Sequence, residues 1–201
     1  MMFDSEVTHA LSFLNPHFCA EHTAGDTFSI EETKKDGKAR LDVTTPLPCI
    51  HVRDLDINTY GLLKLQKCSD HIILKYNEDN QSWDLHIFEF KRKISKKKWE
   101  EDIIPQFHGG LMNTFALCGI LHIHVQSIRH IYVHCGYRQN TSRDSLAEQK
   151  LFLGESAKGA DWLNAPVRLD YLPDRTMINI PVKLDEDTGD GTFSLPDSRD
   201  P

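Results

Sequence analysis

The sequence predicts an α/β domain in which a mixed, mainly antiparallel sheet is flanked by helices. Two apolar segments, residues 68–76 and 84–91, are separated by the turn-forming residues 77–82, and this arrangement predicts a β-hairpin. Residues 128–135 are again apolar and predict a further strand of the same sheet. Between these strands the apolar residues recur every four positions, which is the spacing of a helix with one buried face. They are Trp99, Ile103, Phe107, Leu111 and Phe115.

Further elements are expected on either side of this region. Pro105 and the Gly109-Gly110 pair predict a kink or a break in the long helix, because proline removes a backbone donor and glycine weakens helices. Asn15-Pro16 ends an earlier helical pattern. We interpret residues 5–14 as this helix and residues 18–48 as short strands with loops. We interpret residues 58–66 as a strand and residues 167–184 as a closing hairpin across Pro173-Asp174.

The domain organisation follows from length and composition. With 201 residues the chain fits one domain with a core of its own, which we place at residues 1–184. Residues 185–201 are rich in aspartate and poor in apolar residues, so we expect a disordered acidic tail.

Composition also limits the classes of protein. No segment approaches the roughly 20 apolar residues that span a bilayer, and the N-terminus lacks the features of a secretory signal, so no membrane partner is expected. The five cysteines are odd in number and contain no C-x-x-C pair, which argues against a disulfide framework and a zinc finger. We therefore expect a cytoplasmic protein.

The distribution of charge is uneven. The formal net charge is −7, which by itself disfavours binding to nucleic acid. A basic run nevertheless follows directly after the second strand of the hairpin, where a phosphate backbone can be attracted. We expect phosphate contacts, with DNA or RNA, from Lys93, Lys96, Lys97 and Lys98.

Three residues of the predicted hairpin form the candidate site. Glu89 and Lys91 are two apart, so they share one face of their strand, and the hairpin brings Asp70 towards that face. Two carboxylates and an amine at the end of a sheet can hold a divalent metal and a water beside a phosphodiester. The alternative is an exposed Glu–Lys pair whose spacing is accidental.

The order of these elements resembles the PD-(D/E)XK phosphodiesterase superfamily, especially its RecB-like nuclease branch. The resemblance covers residues 60–136 and implies a restriction-endonuclease-like core. It implies that Asp70 and Glu89 bind Mg²⁺ or Mn²⁺ with the carbonyl of Phe90, that Lys91 positions the attacking water, and that Gln106 is a supporting contact. The expected function is metal-dependent hydrolysis of nucleic acid. Small nucleases of this type often dimerise to cut both strands, so a homodimer is a further expectation.

Two other functions stay open at this point. A member of the same fold without activity would bind nucleic acid or protein and cleave nothing. A histidine-based metal protein is the third possibility, because His122 and His124, and likewise His130 and His134, would share a face if both segments were strands. We favour ordinary core or surface roles for these histidines, since no acid or cysteine has matching spacing.

Overall fold

The computed structural model describes residues 3–34, 37–53, 68–94, 98–137, 167–169 and 172–196. Within these ranges, two α-helices, α1 (Ser5–Leu11) and α2 (Ile104–Ile120), and a π-helical turn at Trp99–Ile103 accompany two sheets. The strands are β1 (Cys19–His22), β2 (Thr27–Lys34), β3 (Gly37–Thr44), β4 (Cys49–Arg53), β5 (His71–Asn77), β6 (Ser82–Ile94), β7 (Val125–Tyr137), β8 (Val167–Leu169), β9 (Leu172–Lys183) and β10 (Asp190–Ser194). None of the helices in these ranges is long and apolar enough to cross a membrane.

The large sheet has seven strands in the order β1-β4-β5-β6-β7-β9-β8. Its pairs are antiparallel from β1 to β6, parallel from β6 through β7 to β9, and antiparallel again between β8 and β9. The parallel step from β6 to β7 requires a crossover, and α2 lies in that connection. The predicted mixed, mainly antiparallel α/β class and the predicted β5–β6 hairpin are therefore confirmed.

Both faces of the large sheet are covered near its centre. One face, which we call the helix face, carries Ile72 and Ile87 in a core cluster with Phe107 of α2 and Val7 of α1. The opposite face, which we call the small-sheet face, packs Ile73, Phe88 and Ile131 against the three-stranded sheet β10-β3-β2. Each such side chain contributes roughly 1.5–3 kcal/mol through burial, so these two layers supply most of the hydrophobic stabilisation.

Helix α1 is shorter than its sequence pattern. Asp4 is the N-cap, and its Oδ1 accepts from the backbone N–H groups of Glu6 and Val7 at 2.9 Å each. The helix ends at Leu11 instead of continuing to residue 14, with Ser12 as its C-cap. Val7 and Leu11 are the helix residues buried against the sheet, so a helix of about two turns suffices to cover this part of the helix face.

Helix α2 runs without a break through the glycine pair. The irregularity lies before the glycine pair, as the π-helical turn at Trp99–Ile103. Pro105 follows this turn directly, in the first turn of α2, and has no N–H to donate to the carbonyls of the preceding turn. Gly110 faces the residue before Asp70: a Cβ added at Gly110 would lie 2.6 Å from Ser69 Oγ and 3.2 Å from Ser69 N. Ser69 Oγ also donates to the carbonyl of Gln106 at 3.4 Å. Glycine is thus required for the close approach of α2 to the start of β5.

The C-terminal part of the chain differs from its prediction. The expected disorder from residue 185 is wrong for residues 185–196, because β10 pairs in parallel with β3 and completes the small sheet. The expected antiparallel pairing at the end of the chain is confirmed as β8 with β9, but Pro173-Asp174 lies within β9 and not between the two strands. The strand expected at 58–66 lies outside the described residues.

Replacing Gly110 by alanine tests the close approach of α2. We expect Gly110→Ala to lower the free energy of unfolding by roughly 1–2 kcal/mol, because overpacking against Ser69 outweighs the gain of about 1 kcal/mol in helix propensity. The matched control is Gly119→Ala in the same helix, where the added methyl group meets nothing within 4 Å, so that it should be neutral or stabilising. Urea unfolding measures both; equal stabilisation by the two variants would contradict the packing described here.

Candidate active site

Asp70 and Glu89 lie opposite each other at the end of the β5–β6 hairpin. The strands pair His71 with Phe88 and Ile72 with Ile87, and one further step in this register sets Asp70 opposite Glu89. A hydrogen bond fixes this arrangement, because the backbone N–H of Phe90 donates to Asp70 Oδ2 at 2.7 Å. The hairpin therefore brings two carboxylates to one end of the sheet, as the sequence predicts.

Glu89 and Lys91 form an ion pair on the helix face. Lys91 Nζ contacts Glu89 Oε1, and the Glu89 and Lys91 side chains are 0% and 10% exposed. Charged groups at this depth are costly unless a partner of opposite charge is close. The amine is thus held beside the carboxylate that the resemblance makes a metal ligand.

Strand β7 contributes residues that the sequence patterns did not connect with this site. In the parallel register Glu89 pairs with Tyr132 and Lys91 pairs with His134, so both aromatic side chains lie next to the ion pair on the helix face. Tyr132 is 1% exposed, and its ring meets Trp99 edge to face with centroids 5.1 Å apart. Alternation along a strand predicts that the side chains of His130, Tyr132 and His134 share one face. Only the β6–β7 register shows that this face lies next to the Glu89–Lys91 pair.

The remaining predicted site residues are distributed around this centre. Gln106 lies in the first turn of α2, whose backbone reaches Ser69, and its side chain is partly buried. Lys93 belongs to β6, where its backbone pairs with Gly136, and Lys98 is partly buried before the π-helical turn. Lys96 and Lys97 lie outside the described residues. The structure thus brings together Asp70, Glu89 and Lys91, with α2 approaching from the side of Asp70.

The donor set of this site suits a hard divalent cation. Mg²⁺ takes oxygen ligands and retains several waters, so it needs only one or two carboxylates from a protein. Asp70, Glu89 and the carbonyl of Phe90 supply donors of this kind. Within the described ranges no three His, Cys, Asp or Glu side chains form a group able to hold a metal, so an ion here would depend on waters and substrate oxygens for its other ligands.

The histidines of residues 122–134 do not form a common group. The expected strand position of His122 and His124 is wrong: both are exposed in the connection between α2 and β7, and His122 has a φ of 56°. His130 is buried against the Phe107 ring, with centroids 4.4 Å apart, and its Nδ1 is 3.2 Å from Asn179 Oδ1. His130 and His134 are therefore core residues, as we favoured.

Burial keeps these two histidines neutral. Loss of hydration lowers the pKa of His130 to about 3, against a partial opposing effect of the Asn179 hydrogen bond. Loss of hydration also lowers the pKa of His134 to about 4, with the charge of Lys183 acting in the same direction. Near neutral pH neither side chain adds positive charge to the Glu89–Lys91 pair.

These pKa shifts predict a loss of stability in mild acid. Below pH 6.5, the ordinary pKa of histidine, both side chains become protonated in the unfolded chain. In the folded protein His130 stays neutral down to about pH 3 and His134 down to about pH 4. The free energy of unfolding therefore falls as pH decreases from 6.5, by up to about 1.4 kcal/mol per pH unit for each histidine. Urea unfolding across this range measures the slope.

Two variants separate titration from packing. His130→Phe should give a shallower slope below pH 6.5, because it removes one titrating group. Asn179→Ala removes the hydrogen-bond partner of that ring but leaves the titrating group in place, so it should lower stability and keep a steep slope. Equal slopes for His130→Phe and the wild type would disprove the assignment.

Comparison with known proteins does not identify a family for this chain. No protein-family model, curated protein or solved structure shows significant similarity to the chain.

Proposed function

We propose that this protein is a metal-dependent nuclease that hydrolyses phosphodiester bonds of nucleic acid. The observation that carries the proposal is the arrangement of Asp70, Glu89 and Lys91. The carboxylate of Asp70 is held by the N–H of Phe90, opposite the buried ion pair of Glu89 with Lys91. This is the set of donors, on neighbouring antiparallel strands, that the PD-(D/E)XK resemblance implies.

The order of elements supports the same proposal. Strands β5 and β6 carry the acidic residue and the Glu-x-Lys sequence, α2 follows, and β7 returns parallel to β6. A restriction-endonuclease-like core requires this succession. Gly110 allows α2 to lie against Ser69, so the turn that contains Gln106 is positioned beside the proposed metal ligands.

Each residue then has a role that its position permits. Asp70 and Glu89 would hold Mg²⁺ or Mn²⁺ with the Phe90 carbonyl, and the cation would neutralise charge that develops on the phosphoryl oxygens. Lys91 is a donor next to Glu89, so it can orient a water for in-line attack and stabilise negative charge. Gln106 would contact substrate or water from α2, and the basic residues Lys93 to Lys98 would attract the backbone.

Burial of Glu89 favours a second candidate, a non-catalytic binding module. Its side chain is fully buried and its Oε1 is held by Lys91, so metal binding requires an oxygen that the ion pair does not occupy. In a binding module the same pair would stabilise the end of β6, and the basic run would still attract nucleic acid or an acidic protein surface. Activity measurements distinguish the two functions.

Removal of the amine or of the carboxylate tests catalysis. With Mn²⁺, we expect wild-type protein to cleave plasmid, single-stranded DNA or RNA, and Lys91→Ala and Glu89→Gln to lose at least about 10²-fold in rate, as after loss of a group that stabilises transition-state charge. Arg40→Ala is the control, because it breaks an ion pair with Asp42, 3.0 Å apart, in the small sheet. Undiminished cleavage by a well-folded Lys91→Ala variant would contradict the proposed catalytic site.

Binding without cleavage is measured separately. We expect single-stranded nucleic acid to bind without added metal, with an affinity that falls with salt because cations of the protein replace counterions. Lys98→Gln should make the dependence of log K on log salt shallower by about 0.7, the value for one single-strand phosphate contact. Arg40→Gln, on the small sheet, should leave the slope unchanged. An affinity independent of salt would exclude the proposed phosphate contacts.

A further inference from the structure

His130 lies next to the candidate active site, and one of its ring nitrogens has no role in the proposed function. On β7 it is two residues from Tyr132, which pairs with Glu89, so its side chain lies on the helix face as well. His130 itself pairs with Ile87, two residues before Glu89 on β6, and is 1% exposed. The imidazole is therefore a buried neighbour of the Glu89–Lys91 pair on the same face of the sheet.

One hydrogen bond determines the tautomer of this ring. Asn179 of β9 pairs with His130, and its Oδ1 lies 3.2 Å from His130 Nδ1. A carbonyl oxygen can only accept, so Nδ1 carries the proton and Nε2 keeps a lone pair that accepts. Nε2 is buried, and it has no hydrogen-bond partner among the residues that the structure describes. Since a buried acceptor without a donor is unfavourable, this nitrogen is suited to receive an N–H group.

Packing also holds the His130 ring in place. Its centroid is 4.4 Å from that of Phe107 in α2 and 5.6 Å from that of Trp99 in the π-helical turn. Together with the hydrogen bond to Asn179, these two ring contacts restrict rotation of the imidazole in the folded protein. The position of Nε2 is therefore set by the strands and α2 before any ligand binds.

Lys91 brings a positive charge towards His130. The register sets Lys91 opposite His134, but Lys91 Nζ contacts Glu89 two residues earlier on β6. The lysine side chain therefore runs back along the strand in the direction of His130. Loss of hydration is the main cause of the low pKa of His130, and the charge of Lys91 lowers this pKa further. The amine is thus within electrostatic range of the imidazole.

We propose that His130 is a positioning residue that accepts the Lys91 amine when a metal ion occupies Glu89. The inference rests on the proposed function, in which Glu89 is a metal ligand. A metal ion at this carboxylate repels the amine from Oε1, and a buried ammonium then needs another acceptor. His130 Nε2 is an acceptor on the same face, and the flexible stem of lysine lets the amine move towards it. There the amine keeps two N–H groups for the attacking water and the substrate.

Binding of Mn²⁺ to the full chain tests this role without a measurement of cleavage. His130→Phe keeps an aromatic ring of similar size but has no acceptor, so it should bind Mn²⁺ about 10-fold more weakly, the effect of losing a hydrogen bond to a charged group. Lys91→Met removes the amine that needs this acceptor. In the Lys91→Met background, His130→Phe should therefore leave the Mn²⁺ affinity unchanged, and this double-mutant cycle measures the coupling of the two side chains.

His86→Phe is the matched control for the loss of a buried imidazole. His86 is 0% exposed on the same strand as Glu89, but it pairs with Ile73 and lies on the small-sheet face. This variant should bind Mn²⁺ as the wild type does. If His130→Phe weakens Mn²⁺ binding equally with and without Lys91, the imidazole is only structural and the inference is overturned, while the metal site stands. If the wild type binds no Mn²⁺, the nuclease proposal fails together with the inference.

The nitrogen NMR signal of His130 Nε2 reports the contact directly and does not depend on how well His130→Phe folds. Mg²⁺ is diamagnetic, so the signal stays observable in the metal-bound protein, and it is assigned through the contact of the ring with Phe107. Saturating Mg²⁺ should shift this signal in the wild type, because Nε2 then accepts an N–H group. The shift should be far smaller in Lys91→Met. Equal shifts in the wild type and Lys91→Met would overturn the inference.

Discussion

Residues 82–90 of strand β6 are covered on both faces, and this constraint determines which charged groups the sheet can hold. Helices cover one face and the small sheet covers the other, so the polar side chains in this part of the strand lose water when the protein folds. Ionised groups are tolerated there only beside opposite charge or hydrogen-bond partners. Asp84 near the start of β6 and Glu89 near its end meet this requirement through Lys75 and Lys91.

The two polar centres of β6 lie on opposite faces of the sheet, because side chains alternate along a strand. Glu89 is on the helix face, where its Oε1 contacts Lys91 Nζ, and the N–H of Phe90 holds the Asp70 carboxylate nearby. Asp84 is on the small-sheet face, where its Oδ2 lies 3.4 Å from Lys75 Nζ. Each centre therefore forms its own ion pair within the sheet.

The C-terminal segment is part of the folded core. Strand β10 pairs with β3, Leu184 and Leu195 are buried with the small-sheet cluster, and the Pro196 carbonyl accepts from Lys75. Composition indicates disorder here because the segment is acidic and contains few apolar residues. Those few residues are the buried ones, and the acidic side chains between them point to solvent. Truncation before β10 would therefore expose the core of the small sheet.

The sequence by itself determined the features that depend on local backbone geometry. A period of two places Glu89 and Lys91 on one face, and the turn residues 77–82 bring Asp70 back towards them, because side chains in a strand alternate whatever surrounds it. The tertiary structure alone decided what each face meets. It set Tyr132 and His134 of β7 beside the Glu89–Lys91 pair and buried Glu89 completely. It also brought Gly110 close to Ser69 and paired Asp84 with Lys75. These features depend on register and contact between distant segments, and no local pattern of residues records which strand will become a neighbour.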